Sequence, residues 1–490
     1  MKKEIISEKF LCEIWEKYNF AEGLQTADGK SIKIMSKGEK NLGIGGPDYL
    51  NAKIKIDNKI FTGDIEIDTE IENWHLHNHH KNNKYNKVIL HIVYQNNTNE
   101  NFVTTDNKRI IPSIAISKFI APNLKQDLSV QMVSDKSGKA YSLPCEGLNN
   151  AVTNKIKIDY LISMGSNRFN IKTKRLFDRL KELAYLSQRE LKEPIVNYDL
   201  ESELNRIEFN YNDFLDPVLW EQLLYENIFT ALGYSKNKDN MNKLAKSVEI
   251  KILKDIKGKN NLEQKLEAIL FKISGLLPDV NELPDEETSV YTRKLYELWN
   301  KYNNYDYGER LHPSSWNFFR MRPQNFPTLR IAGGVKILKK ILMDNLVHDL
   351  IKLFGYEKDN KKLKQKLRDH FIVKADGYWQ EHFLFDQLSN IKIKYLVGIS
   401  RTDEIIVNII LPFLFLYFKI FNKKEFLKKV LNFYLNFKQS GSNIIIEDVM
   451  SSLKIDSKRS VIYQGAMQLY LNFCSKNKCI NCEIGKKVFN

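Results

Sequence analysis

The chain has 490 residues, 43% of them hydrophobic, enough for about two to four domains with cores of their own. Its five cysteines are too few for the disulfide framework of a secreted protein, and three of them crowd between 474 and 482. A net charge of +15 favours polyanionic partners such as nucleic acid, although a composition swollen with Lys, Asn and Ile, as an AT-rich genome gives, would produce the same charge.

The opening MKKEIISEKFLCEIWEKYNF has neither an apolar stretch nor a small-residue cleavage site. It predicts an amphipathic helix over 1–20, with Phe10, Leu11, Ile14, Trp15 and Tyr18 on one face, rather than a targeting peptide. Residues 21–145 read as strand-rich. Alternation in Lys53-Ile54-Lys55-Ile56 and in Asp64-Ile65-Glu66-Ile67-Asp68 predicts two strands, with turns at Gly45-Gly46-Pro47 and Asp57-Asn58. Val88–Tyr94 is apolar on both faces, as a strand in mid-sheet would be. Further on the period becomes helical, in Lys174–Leu186, Pro217–Leu232, Asn240–Leu253, Leu262–Leu277, Thr292–Tyr302 and Gly333–Phe354, with loops expected at Asp279–Glu287 and His312–Pro327. Ile405–Phe418 is the most apolar run, but it is short of a membrane span and Asn408 and Pro412 interrupt it. A cytoplasmic location with no membrane partner is therefore expected. The division predicted is an α/β domain over 1–165, built on a mixed sheet, and a mostly α-helical region over 166–490 that ends in a cysteine knuckle.

Strand alternation puts Asp64, Glu66 and Asp68 on one face, with Lys53 and Lys55 together on the partner strand and Asp48 at its mouth. Carboxylates converging from adjacent strands can hold Mg²⁺ or Mn²⁺, which polarises a phosphate and activates a water. A solvated face on an edge hairpin, with Lys and Glu pairing across strands, would give the same pattern. Trp74-His75-Leu76-His77-Asn78-His79-His80 follows; His77 and His79 are spaced to ligate a transition metal or to serve as acid and base, and His91 reads as a core histidine or a further ligand. Arg320, Arg322 and Arg330 flank a Pro-rich stretch, either as a phosphate-binding cluster or as arginines of a buried loop that tie helix C-termini. Cys474-x4-Cys479-x2-Cys482 predicts a Zn²⁺ or iron–sulfur site that needs a fourth ligand, with Cys145 the first candidate and Cys12 the second.

Gly46-Pro47-Asp48, the hairpin, and Glu66-x-Asp68 resemble the PD-(D/E)XK nuclease pattern. The resemblance implies a restriction-endonuclease-like sheet with Asp48 and Glu66 as metal ligands. Position 68, Lys in that pattern, is Asp, so Lys53 or Lys55 would have to supply the amine. Over almost the whole chain, Gly46–Ile54, Gly63–Ile67, Trp74-x-x-His77-x-His79, Tyr85–Val93, Arg322–Ala332 and the cysteine run resemble the bacterial domain-of-unknown-function 2851 family. That resemblance brings no established activity; the family commonly has His at position 68. The functions to weigh are a metal-dependent nuclease or DNA-processing enzyme, a non-catalytic nucleic-acid-binding protein on a degenerate nuclease fold, and a metal- or cluster-bearing protein with another partner.

Overall fold

The computed structural model describes residues 11–12, 15–16, 24–26, 29–41, 46–96, 98, 100–118, 141, 143–189, 203–204, 206–256, 258, 260–319, 321–476 and 478–489. The chain forms two compact units, Met1–Gly138 and Lys139–Asn490. A boundary at 165 would instead cut the helix Asn154–Gln188, whose Leu161, Phe169, Leu176 and Leu180 all belong to the core of the second unit.

In the first unit, β1 (Ile32–Ser36), β2 (Glu39–Lys40), β3 (Tyr49–Ile56), β4 (Lys59–Asp68), β5 (Val88–Val93), β6 (Phe102–Thr104) and β7 (Ile110–Ala115) build one sheet. Its order is β1-β3-β4-β5-β7-β6, with β2 alongside β3. The β3–β4 hairpin turns through Asp57-Asn58, where Asp57 takes the positive φ of 48° that a tight two-residue hairpin requires. β4 to β5 and β5 to β7 are parallel, so the sheet is mixed. β5 is buried along its whole length, as its unbroken apolar run predicts. One face of the sheet presents Ile54, Ile65, Ile67, Leu90 and Ile92 to Leu11 and Trp15. Those last two stand four residues apart, and residues 11–12 and 15–16 are helical. Phe10, Ile14 and Tyr18 of the expected helix face lie outside the described residues. The other face has its own core of Ile71, Trp74, Tyr85, Val88, Val93, Val103 and Ile111.

The second unit is helical around one large core. Pro217–Leu232 is a helix with the bounds its sequence predicts; Asp216 caps it through the Val218 N–H, and Pro217 occupies the first position. Two expected helices are each split. Asn240–Leu253 becomes parts of Lys238–Ser247 and Ile250–Ile256, parted by the non-helical Val248. Gly333–Phe354 becomes parts of Pro327–Met343 and Leu346–Tyr356, because Asn345 turns left-handed at φ 49°. Ile405–Phe418 lies within a continuous stretch from Ile399–Ile405, through one π-helical turn, Ile406–Ile410, into Leu411–Ile420. The widened turn falls just before Pro412, which has no N–H to give the preceding turn. Among the described residues, no helix is long and apolar enough to cross a membrane. The helix Asn154–Gln188 packs on Ser460–Asn472 at a crossing made by two glycines. A Cβ on Gly165 would fall on the Val461 carbonyl, and one on Gly465 on the Leu161 carbonyl.

Candidate metal centre

β4 leaves the exposed hairpin turn and is buried from Asp64 onward, because β3 and β5 flank it on both edges. Ile65 and Ile67 point into the apolar core, and alternation turns Asp64, Glu66 and Asp68 to the opposite face. All three carboxylates are buried, Asp68 at 1% exposure. The solvated edge-hairpin alternative is thereby overturned: β4 is an interior strand. Buried carboxylates are held only where charges or hydrogen bonds compensate them.

The compensation comes from residues 69–87, which connect two parallel strands and so must cross the sheet. The short helix Asn73–Leu76 drives Trp74 into the core, where its indole N–H donates to the Thr104 carbonyl at 2.8 Å. Asn78 then reverses the chain in a left-handed conformation, φ 60° and ψ 29°. His77 and His79, on either side of it, both reach the carboxylates. His77 Nδ1 stands 3.2 Å from Asp68 Oδ1, and His79 Nε2 stands 3.1 Å from Glu66 Oε1 and 4.0 Å from Asp68 Oδ2. The His79 ring lies 4.0 Å from that of Tyr85, whose hydroxyl donates to the Gly46 carbonyl.

The neighbouring strands continue the row. His91 on β5 stands beside Glu66, and Ser113 on β7 stands beside His91. His91 Nε2 is 3.1 Å from Asp68 Oδ2 and its Nδ1 is 2.9 Å from Ser113 Oγ, so Asp68 faces His91 as well as His77 and His79. Ser113 is not among the candidates that motif and spacing single out; its one signal is a hydroxyl in the middle of the apolar strand Ile110–Ala115.

Asp48 and Glu66 are brought together. Glu66 Oε2 accepts the Asp48 backbone N–H at 3.1 Å, and Asp48 Oδ2 accepts the Ile67 N–H at 2.9 Å. The group of three donors that closes to within 4.8 Å, among the described residues, is Asp68, His77 and His79. Lys53 and Lys55 are not at the centre. They stand opposite Thr62 and Ile60, and four residues of strand from Thr62 to Glu66 is about 13 Å. Of the arginines, Arg320 lies outside the described residues and Arg322 is exposed. Arg330 is buried and ties the Asn325 side chain, at 2.6 Å, to the Leu396 carbonyl.

Asp68 Oδ1 and His77 Nδ1 are both buried and face each other at 3.2 Å, yet their angles do not make a hydrogen bond. One ligand atom each of Asp68, His77 and His79 lies within 4.8 Å of the others, close enough for all three to serve one ion. Two imidazoles and a carboxylate suit Zn²⁺, Mn²⁺ or Fe²⁺, whereas Mg²⁺ prefers oxygen alone.

Fold and site define a class: a mixed-sheet unit with a buried histidine–carboxylate constellation, followed by a helical unit. The family model for a protein of unknown function (DUF2851) matches residues 8–191 and 186–443, and the chain belongs to that family. No curated protein and no solved structure matches it. The matched segments take in every residue of the centre and stop short of Cys474.

Proposed function

We propose that the N-terminal unit is a metal-dependent phosphodiesterase acting on nucleic acid, centred on Asp68, His77 and His79. The observation that carries this reading is the buried, unbonded approach of Asp68 Oδ1 to His77 Nδ1 within a triad that closes to 4.8 Å. A bound ion would supply a Lewis acid for a phosphoryl oxygen and make water a nucleophile near neutral pH. His77, with its side chain 24% exposed, lies on the solvent side of the triad. Glu66 stands beside the triad on His79 and would accept a proton from an attacking water. Lys81, Lys84 and Lys87, all exposed, follow His79 directly and would hold flanking phosphates.

The placement of Lys53 and Lys55 favours one alternative, a metal site that binds nucleic acid without cleaving it. The test separates the two. Purified protein loaded with Mn²⁺, Zn²⁺ or Mg²⁺ is given labelled single- and double-stranded oligonucleotides, beside the Asp68→Asn and His77→Ala variants. The expected result is cleavage with Mn²⁺ or Zn²⁺ that falls by about 100-fold or more in both variants, with binding of the oligonucleotide retained. Binding without cleavage by the metal-loaded wild type leaves the non-catalytic reading. Protein that takes up no metal at this centre removes both.

A further inference from the structure

The second unit carries a separate constellation. Cys145, Cys474, Cys479 and Cys482 are all unpaired thiols, and Cys145 and Cys482 are buried. Cys474–Lys476 and Cys479–Asn481 are single 3-10 turns; the second is closed by the Cys482 N–H donating to the Cys479 carbonyl at 3.0 Å, and around the first the Lys476 and Lys478 N–H groups both donate to the Phe473 carbonyl. Gly485 lets the following helix pass close to this knuckle: a Cβ there would fall on the Cys479 carbonyl. Cys145 comes from the far end of the unit. Its carbonyl accepts the Asn149 backbone N–H at 3.0 Å and side-chain N–H at 2.9 Å, and Asn149 also donates to the Ser452 carbonyl. The helix Glu483–Phe489, which starts beside Cys482, packs against the turn Leu148–Ala151, three residues beyond Cys145, and Cys145, Cys474 and Cys482 share one core. Cys12 belongs to the first unit and has Asp48, Lys40 and Tyr49 as its neighbours.

A second, independent feature stands beside them. Lys157 is 2% exposed, and its ammonium donates to Asn149 Oδ1 at 2.7 Å and to the Leu453 carbonyl at 3.1 Å, both neutral acceptors. A buried ammonium held by two neutral acceptors, one of them the Asn149 side chain that also donates to the Cys145 carbonyl, would be compensated by an anion formed beside it. Four thiolates around a metal centre carry such an excess of negative charge. The Tyr160 side chain lies beside Cys482.

Spacing distinguishes between metals. Thiolates about 2.3 Å from a single tetrahedral zinc stand about 3.8 Å from one another. Among the described residues, no three of the cysteine sulfurs close to within 4.8 Å, the spacing that Asp68, His77 and His79 meet. An iron–sulfur cluster divides its four thiolates among two or four irons, so that no three of them need to stand that close. We propose that Cys145, Cys474, Cys479 and Cys482 ligate an iron–sulfur cluster, with Lys157 offsetting its charge, and that the cluster clasps the two ends of the helical unit together.

The test uses the full chain purified without oxygen, with iron, zinc and acid-labile sulfide measured and the visible spectrum recorded; apoprotein is also reconstituted with ferrous iron and sulfide. The expected result is a brown protein with roughly two or four irons per chain and matching sulfide. Cys145→Ser and Cys479→Ser should each lose most of the colour and iron, and Cys12→Ser should keep both. Far-UV circular dichroism checks folding, and Cys479→Ser, whose thiol is part-exposed, decides the matter if Cys145→Ser does not fold. Stoichiometric zinc without iron, freely reacting thiols after reconstitution, or unchanged colour in a folded Cys145→Ser would each overturn the proposal.

Discussion

Glu267 sits in the core of the helical unit, where the Tyr291 hydroxyl and the Trp379 indole N–H donate to its two oxygens at 2.8 and 2.9 Å. Burial pushes its carboxyl up to about 7, against the pull of those two hydrogen bonds. A value raised on folding means that the folded chain binds the proton more tightly. The stability Glu267 contributes is therefore complete below its ordinary value of 4.5 and is lost as pH rises through about 7. Between pH 5 and 8 the loss is on the order of 3 kcal/mol at most. Glu267→Gln keeps the shape and removes the titration, so thermal melts of the variant should depend less on pH over that window than those of the wild type. Parallel curves for the two proteins would contradict this assignment.

At the crossing of Asn154–Gln188 with Ser460–Asn472, each helix presents a glycine to a carbonyl of the other. In an exposed helix, Gly→Ala stabilises by about 1 kcal/mol. Here the sign should reverse, because the methyl group must displace backbone: Gly465→Ala should lose about 1–3 kcal/mol in urea unfolding. A neutral or stabilising result would mean that the helices do not touch at Gly465. The legibility of the elements divides along similar lines. The period of β4 shows which residues share a face, so the stripe Asp64, Glu66, Asp68 is readable from the sequence alone. Whether that face is covered depends on where residues 69–87 fold, and a two-residue period carries no such information. The closing of His77 and His79 onto Asp68 rests on the reversal at Asn78, a left-handed residue that a lone Asn signals only weakly. Lys53 and Lys55 have the right parity, but distance along the strand removes them.

For the molecule as a whole, the charge of +15 has a measurable consequence if nucleic acid is the partner. Three phosphates neutralised by Lys81, Lys84 and Lys87 give a slope of about −2.7 in log affinity against log salt, or about a forty-fold loss between roughly 50 and 200 mM. Replacing all three with Ala should flatten the slope to near zero at that site; a wild-type slope already near zero would mean that the charge reflects composition. Composition and periodicity made the order of the two units legible. They could not reveal that Cys145 belongs with the helices, since its neighbours Asn149, Ser452 and Cys482 meet only in three dimensions. The same long-range closure sets a clock on synthesis. The apolar side of Asn154–Gln188 finds part of its cover only in Ser460–Asn472. At about 5–20 residues per second, the ribosome needs on the order of tens of seconds to make what lies between them. For that time the glycine-marked surface of the first long helix waits for a partner not yet made, which makes the nascent chain a natural client for factors that shield exposed apolar helices.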